Sequence, residues 1–473
     1  MSDTGAAANP KATRIEKDSL GPLEVPADAY YGVQTARAVA NFPISGERLH
    51  MEMVRAVTRI KIAAARANAE LGVLDSKKAD AIVAAAEEIL AGKHDHQFVV
   101  DAYQAGAGTS FHMNVNEVIA NRACELMGGK KGDTSLVHPN DHVNIAQSTN
   151  DVIPTAMRLA AYSLAGPLAQ EMAALGASLD RKAQEFANVL KSGRTHLQDA
   201  VPITLGQEFS GYRDGVLGWR SSLERSREGL LMLGLGGNAV GTGINAHPRY
   251  RERVVANLAQ ITGTPFRSAP NLFEAMQSMA PFVRVSNDLR GFSLDLTRLA
   301  NDLRLLASGP TTGFDEIVLP AVQPGSSIMP GKVNPVIAEM TNMVAYQVLG
   351  YDTTVAYAAQ AGQLELNVMM PVLAHNLLRS LTLLTSTLRA LRTACIDGIT
   401  ANEEVCRRYF ERSISLATAL NPFIGYARAA EVAKESAKTG KTVVEIVRKK
   451  KLLTEEQIAK VFSPEAMTHP GGS

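Results

Sequence analysis

The sequence predicts a helical protein built around a bundle of long helices. Three stripes of apolar residues carry that prediction. From Leu289, the residues Phe292, Leu296, Leu299, Leu303 and Leu306 follow in steps of three and four, which places them on one face of a helix. Leu377, Leu381, Leu384, Leu388 and Leu391 repeat the pattern, as do Leu168, Met172, Leu175 and Leu179, continuing to Phe186. Seven-residue repeats sustained in this way fit helices packed lengthwise at a shallow angle. No comparable stretch alternates with period two. These leucines are expected to be bundle core with no chemistry of their own.

Composition bounds what the bundle can belong to. At 473 residues the chain exceeds the size at which one core keeps growing, so length alone fits two to four domains. Apolar residues make up 46% and charged residues 20%, an ordinary globular balance. With 48 basic against 47 acidic side chains and a formal charge of +1, there is no electrostatic reason to expect nucleic acid or an anionic membrane as partner. Cys124, Cys395 and Cys406 have neither CxxC nor metal-ligand spacing, which fits a reducing compartment. The opening stretch MSDTGAAANPKATRIEKD lacks the apolar centre of a signal peptide, and no apolar run reaches membrane-spanning length. The expectation is a cytoplasmic protein of enzyme size.

Along the chain, residues 1–148 mix loops with shorter helices. The segment from about 150 to 400 is mostly long helix, broken near 191–208, 234–248 and 309–335. The longest break holds five prolines and four glycines and reads as a loop. Asn334 followed by Pro335 then reads as an N-cap and first helical residue, restarting the helix that carries Glu339. The last 70 or so residues are more charged, with a helical hairpin expected around 425–460. His94 and His96 lack partners at metal-ligand spacing and read as surface loop, and RKKK (448–451) reads as a solvated patch. GLGGNAVG (234–241) matches a dinucleotide fingerprint only in its glycines, because neither a preceding strand nor a βαβ pattern is expected around it.

Four polar clusters fall at the breaks or ends of helices. GAGTSFHMNVNE (106–117) offers Thr109 beside small residues that let a ligand approach the backbone. HPNDHVNIAQSTNDVIPT (138–155) puts Ser148, Thr149 and Asn150 just ahead of a long helix, where hydroxyls and free N–H groups favour an anion. Plain helix capping is the competing account of the same residues. GRTHLQDAVPITLGQE (193–208) supplies Thr195 and His196, and GSSIMPGKVNP (325–335) supplies Ser326, Lys332 and Asn334. Hydroxyls, amides, one lysine and one histidine, with no metal-ligand set or cofactor motif, suit a dicarboxylate substrate. They also suit proton abstraction beside a carboxylate, whose doubly charged enediolate needs preorganised donors and a cation.

GSSIMPGKVNP closely resembles the signature loop of the aspartase/fumarase superfamily, and the other clusters resemble its remaining signature regions in order. The resemblance runs from about residue 13, through VPADAYYGVQT (25–35), to GITANEEVC and LNPFIGYA (398–427). It implies an all-α fold of three domains, here 1–148, 149–403 and a small helical 404–473. The central long helices would join those of three other copies in a homotetrameric helical core, with each active site drawn from three subunits. No cofactor and no metal are expected, because none of the four clusters contains a metal-ligand set. Ser326 would be the general base for the Cβ proton, carried on a loop that closes over the site. Thr109, Ser148, Thr149, Asn150, Thr195, His196, Lys332 and Asn334 would bind the substrate, and Glu339 would pair with His196 and fix its tautomer or charge.

Within the superfamily, GAGTS and AGQLELNVM (361–369) resemble the branch that releases ammonia from L-aspartate. The alternative is the class II branch that dehydrates L-malate. Both give fumarate. The chain departs from the usual pattern at His112, where asparagine is usual, at Ile145 and Ala146 in place of Lys-Ser or Lys-Cys, and at Met370 in place of a charged residue. An inactive structural relative would be marked by loss of Ser326, Lys332 or His196, and all three are present.

Overall fold

The computed structural model describes residues 12–470, so residues 1–11, most of the stretch read for a signal segment, lie outside it. The fold is all-α, with four two-stranded sheets as the strand content among the described residues. The three predicted stripes lie on the helices Thr149–Glu185, Ala280–Leu306 and Met370–Ala394, with Phe186 just past the first. None of the stripe residues is more than 5% exposed, and at such sites Leu→Ala costs about 2–5 kcal/mol. No helix among the described residues is long and apolar enough to cross a membrane.

The chain divides into two compact units. The first runs through Leu168 and adds Ser222–Arg290 and Val348–Thr382. In it the helices Met51–Glu70, Ser76–Leu90, Thr109–Leu126 and Tyr250–Thr262 pack around a core rich in alanine and isoleucine. Asp75 caps the second of these, its carboxylate accepting from Lys77 and Lys78 N–H. An N-terminal hairpin, Thr13–Asp18 against Gly21–Pro26, was not expected. Polar contacts hold its first strand, where Arg14 pairs with Glu16 and donates to the carbonyls of Pro26, Ala29 and Tyr31, while Leu23 and Val25 of the second pack with Ala29 and Val33.

Two other expectations in this unit need correction. His94 is buried, not on a surface loop, and meets the Glu88 carboxylate at 3.2 Å while its ring packs at a tilt against Tyr30. GLGGNAVG is preceded by a short strand, Met232–Leu233, which pairs in parallel with Arg267–Ser268 across the helix Tyr250–Thr262. A two-residue ladder is too short to announce itself by side-chain pattern.

The second unit comprises Ala169–Ser221, Gly291–Gln347 and Leu383–Ser473. Its long helices approach closely at Gly291, where a Cβ would lie 2.1 Å from the Trp219 ring. The indole N–H donates to Asp295 at 2.6 Å. The expected break at 191–208 is a second β-hairpin, Leu190–Thr195 against Gln198–Thr204. The segment 309–335 contains no helix, as expected, and its strand Ile317–Val318 pairs with Thr400–Ala401. Near the C-terminus the expected helical hairpin is instead three short helices, Tyr426–Thr439, Val443–Lys449 and Glu455–Val461, around a small core that includes Leu420, Val432 and Ile446.

Candidate active site

In the first unit, Ser148, Thr149 and Asn150 open the helix Thr149–Glu185. Ser148 is its N-cap: the hydroxyl accepts from Asn150 N–H at 3.2 Å, and the Asp151 carboxylate accepts from Ser148 N–H at 2.9 Å. Capping therefore engages the same residues that are expected to bind the substrate. Asn150 donates one amide hydrogen to the Ala239 carbonyl at 2.8 Å. All three side chains remain partly exposed.

Behind this helix start lies a buried polar cluster that the sequence reading did not assemble. The second Asp151 oxygen accepts from Gly236 and Asn238 N–H at 3.0 and 2.9 Å, so GLGGNAVG wraps the chain's own carboxylate. Burial raises the Asp151 pKa to about 6, against the pull of these three N–H donors. Alongside, Lys61 is fully buried, with His112 Nε2 at 2.7 Å and the amide oxygens of Asn144 and Gln147 each at 2.9 Å. His112 Nδ1 lies 2.8 Å from the Thr149 hydroxyl. Burial pushes both Lys61 and His112 well toward their neutral forms.

Thr109 starts the helix Thr109–Leu126 and is exposed. The turn before it, with Ala107 at φ 59° and Gly108 at φ 86°, is tied to the 361–369 stretch by a hydrogen bond of 3.0 Å from Ala107 N–H to the Val368 carbonyl. The GAGTS and AGQLELNVM stretches are thus joined in space.

In the second unit, Thr195 and His196 sit at the exposed tip of the hairpin. His196 and Leu197 form its two-residue turn, both with positive φ (56° and 59°), the backbone that matches strand twist in a tight hairpin. A buried ionic network anchors its base. Glu316 is wholly buried, takes both guanidinium nitrogens of Arg194 at 2.9 Å, and lies 2.9 Å from Lys191, which also meets Glu208 at 2.7 Å. Sequence gave no signal for this network, because Glu316 is 122 residues from Arg194.

The 325–335 loop is closed on itself. Gly325 N–H donates to the Lys332 carbonyl at 2.7 Å, and Asn334 donates its amide to the Gly325 carbonyl at 2.8 Å. Asn334 is therefore a loop clasp rather than the expected N-cap, and the helix Val336–Gln360 begins one residue after Pro335. A Cβ on Gly325 would lie 2.5 Å from the Lys332 carbonyl oxygen, so glycine is required there. Pro330 and Gly331 (φ 79°) form the central pair of a turn closed by Lys332 N–H on the Met329 carbonyl. Inside the loop the Ser326 hydroxyl accepts from the N–H groups of Ile328 and Met329 at 3.2 and 3.0 Å. Two convergent amides favour negative charge on that oxygen. Lys332 is exposed, and among the described residues its ammonium has no ion-pair partner.

The structure thus brings Ser148, Thr149 and Asn150 together in one unit, and Ser326, Lys332 and Asn334 together in the other. Glu339 is exposed in the first turn of its helix. Among the described residues, neither a hydrogen bond nor an ion pair joins it to His196 within one chain.

Comparison with known proteins completes the picture. Residues 21–350 match the family described as Lyase, and residues 416–469 match Fumarase C C-terminus. The chain is 50% identical to an aspartate ammonia-lyase from a Bacillus species over 97% of this chain and 98% of that protein. It is 52% identical to a class II fumarate hydratase from Halobacterium salinarum over 97% of each. The crystal structure of a cobalt-bound fumarate lyase:delta crystallin from Brucella melitensis superposes with a TM-score of 0.94 at 49% identity, covering 97% of this chain and all of that one.

Proposed function

The chain belongs to the aspartase/fumarase superfamily of lyases, and we propose that within it the protein eliminates ammonia from L-aspartate to give fumarate. The observation that carries the reaction is the Ser326 hydroxyl held under two backbone N–H groups. Those donors favour the serine alkoxide that a base for an unactivated C–H proton needs.

In this reading Ser326 takes the Cβ proton of L-aspartate. The C–H electron pair moves into the adjacent carboxylate, which becomes an enediolate. Lys332, Asn334 and the hydroxyls of Thr195, Thr149 and Ser148 meet its charge, with Thr109, Asn150 and His196 orienting the rest of the substrate. Collapse of the enediolate forms the Cα–Cβ double bond and breaks the Cα–N bond. The amine and the proton held by Ser326 leave as ammonium.

The complete site would be shared between chains of a homotetramer. Apolar side chains on the long helices support further copies of the chain as partners, for Leu294, Met343, Tyr346 and Tyr357 are each more than half exposed in the single chain. In that assembly Glu339 would find His196 on another chain. Ammonia rather than water is favoured by GAGTS and AGQLELNVM; the 52% identity to a hydratase supports a second reading, dehydration of L-malate.

The deciding experiment offers the purified protein L-aspartate and L-malate separately and follows fumarate by absorbance and ammonia by a coupled assay. Fumarate with matching ammonia from L-aspartate is expected. Fumarate from L-malate alone would transfer the assignment to the hydratase branch. No turnover of either would overturn both.

A further inference from the structure

We propose that His112 is a positioning residue that, backed by Lys61, aims the Thr149 hydroxyl at the substrate carboxylate. This rests on the reading of Thr149 as a substrate ligand and deepens it.

The argument is one of hydrogen-bond direction along a chain of buried groups. Gln147 donates its amide to the carbonyls of Val143 and Ile145, which leaves its Oε1 facing Lys61. Asn144 donates to the Gln147 carbonyl, which turns its Oδ1 toward Lys61 as well. Two of the three Lys61 hydrogens thus have acceptors whose orientation is fixed independently. The remaining partner is His112 Nε2.

Lys61 and His112, in contact and both buried, do not carry charge together. Two amide acceptors of fixed orientation at Nζ, with the Asp151 carboxylate adding attraction, hold the proton on the lysine against the pull of burial. His112 is then neutral, accepts at Nε2 and bears its hydrogen on Nδ1. That hydrogen is donated to Thr149 Oγ1. A hydroxyl that accepts from behind is free to donate forward, and Thr149 is partly exposed at a helix N-terminus. The cluster therefore converts a rotating hydroxyl into a directed donor, removing the reorganisation a free one would need.

Four variants and one double variant test this. Asparagine at position 112 places an amide N–H where Nδ1 stands and keeps the donor to Thr149. Glutamine reaches Lys61 instead and leaves Thr149 without it. Wild-type-like activity is expected in His112→Asn, and a fall in kcat/KM of about ten- to a hundredfold in His112→Gln and His112→Leu, with a parallel loss of affinity for the unreactive dicarboxylate succinate. Thr149→Val should lose at least as much, and Thr149→Val with His112→Leu no more than Thr149→Val alone. The two polar variants keep the test open if His112→Leu does not fold. Should glutamine outperform asparagine, or the losses at 112 and 149 multiply, the aiming role is wrong. An unaffected Thr149→Val would instead remove the reading of Thr149 beneath it.

Discussion

Arg194 and Glu316 meet in a two-pronged pair, both N–O distances 2.9 Å, one residue before the hairpin tip that carries Thr195 and His196. The carboxylate also faces Lys191 and is wholly buried. Removing it strands the Arg194 guanidinium and leaves Lys191 with Glu208 as its remaining carboxylate. Glu316→Gln should therefore destabilise the protein by about 3–5 kcal/mol, read as a fall in the denaturant midpoint. A loss below about 1 kcal/mol would mean that the pair behaves like a surface ion pair.

Ser326 and Ser327 are neighbours, but the two backbone N–H groups point at Ser326. Ser326→Ala should lower kcat by roughly 10²–10⁴ while leaving L-aspartate binding largely intact. Ser327→Ala should be milder. If Ser327→Ala proves the deadlier change, the base is misassigned and His196 with Glu339 is the next candidate.

Lys332 projects from a loop whose backbone is already closed by Gly325 and Asn334. Truncation should spare the loop and remove only the charge. Lys332→Ala is expected to cost about 2–4 kcal/mol of transition-state binding, measured as kcat/KM. An effect under tenfold would make Lys332 a structural residue.

If sites are shared, two dead chains can complement each other. A His196 variant and a Ser326 variant, each inactive alone, should recover part of the activity when unfolded together and reassembled. Verified mixed assemblies that stay inactive would rule out sharing.

The Asp151 carboxyl titrates from 3.8 when unfolded to about 6 when folded. The folded state then binds this proton more tightly, so its contribution to stability falls as pH rises between those values and is constant above. Asp151→Asn should abolish that component. Denaturation midpoints taken across the window would show the slope difference, and equal slopes in wild type and variant would refute it.

The long helices were legible because burial writes itself into a sequence with the period of the helix, as at Leu296, Leu299 and Leu303. The hairpin around Thr195 was not, because Lys191, buried, and Arg194, half-buried, pair with Glu316 and look, in sequence, like solvated charges. The 325–335 loop could be read for its residues but not for its closure, which runs through backbone atoms. Lys61, His112 and Asp151 went unassembled for a related reason: each is an unremarkable residue on its own helix, and 51 residues separate Lys61 from His112. His112 was visible only as a departure from the usual asparagine.

The Asp151 carboxylate inside GLGGNAVG also settles what that stretch is available for. A ligand carried on the same chain competes at an effective concentration that no free anion approaches. Gly236 and Asn238 have already given their N–H groups to it, and Gly237 has given its own to the Gly234 carbonyl. A nucleotide phosphate arriving there would have to evict a tethered rival that is fully buried. The glycines that look like a nucleotide cradle are thus a decoy, insulated from cellular nucleotide levels by the protein's own side chain.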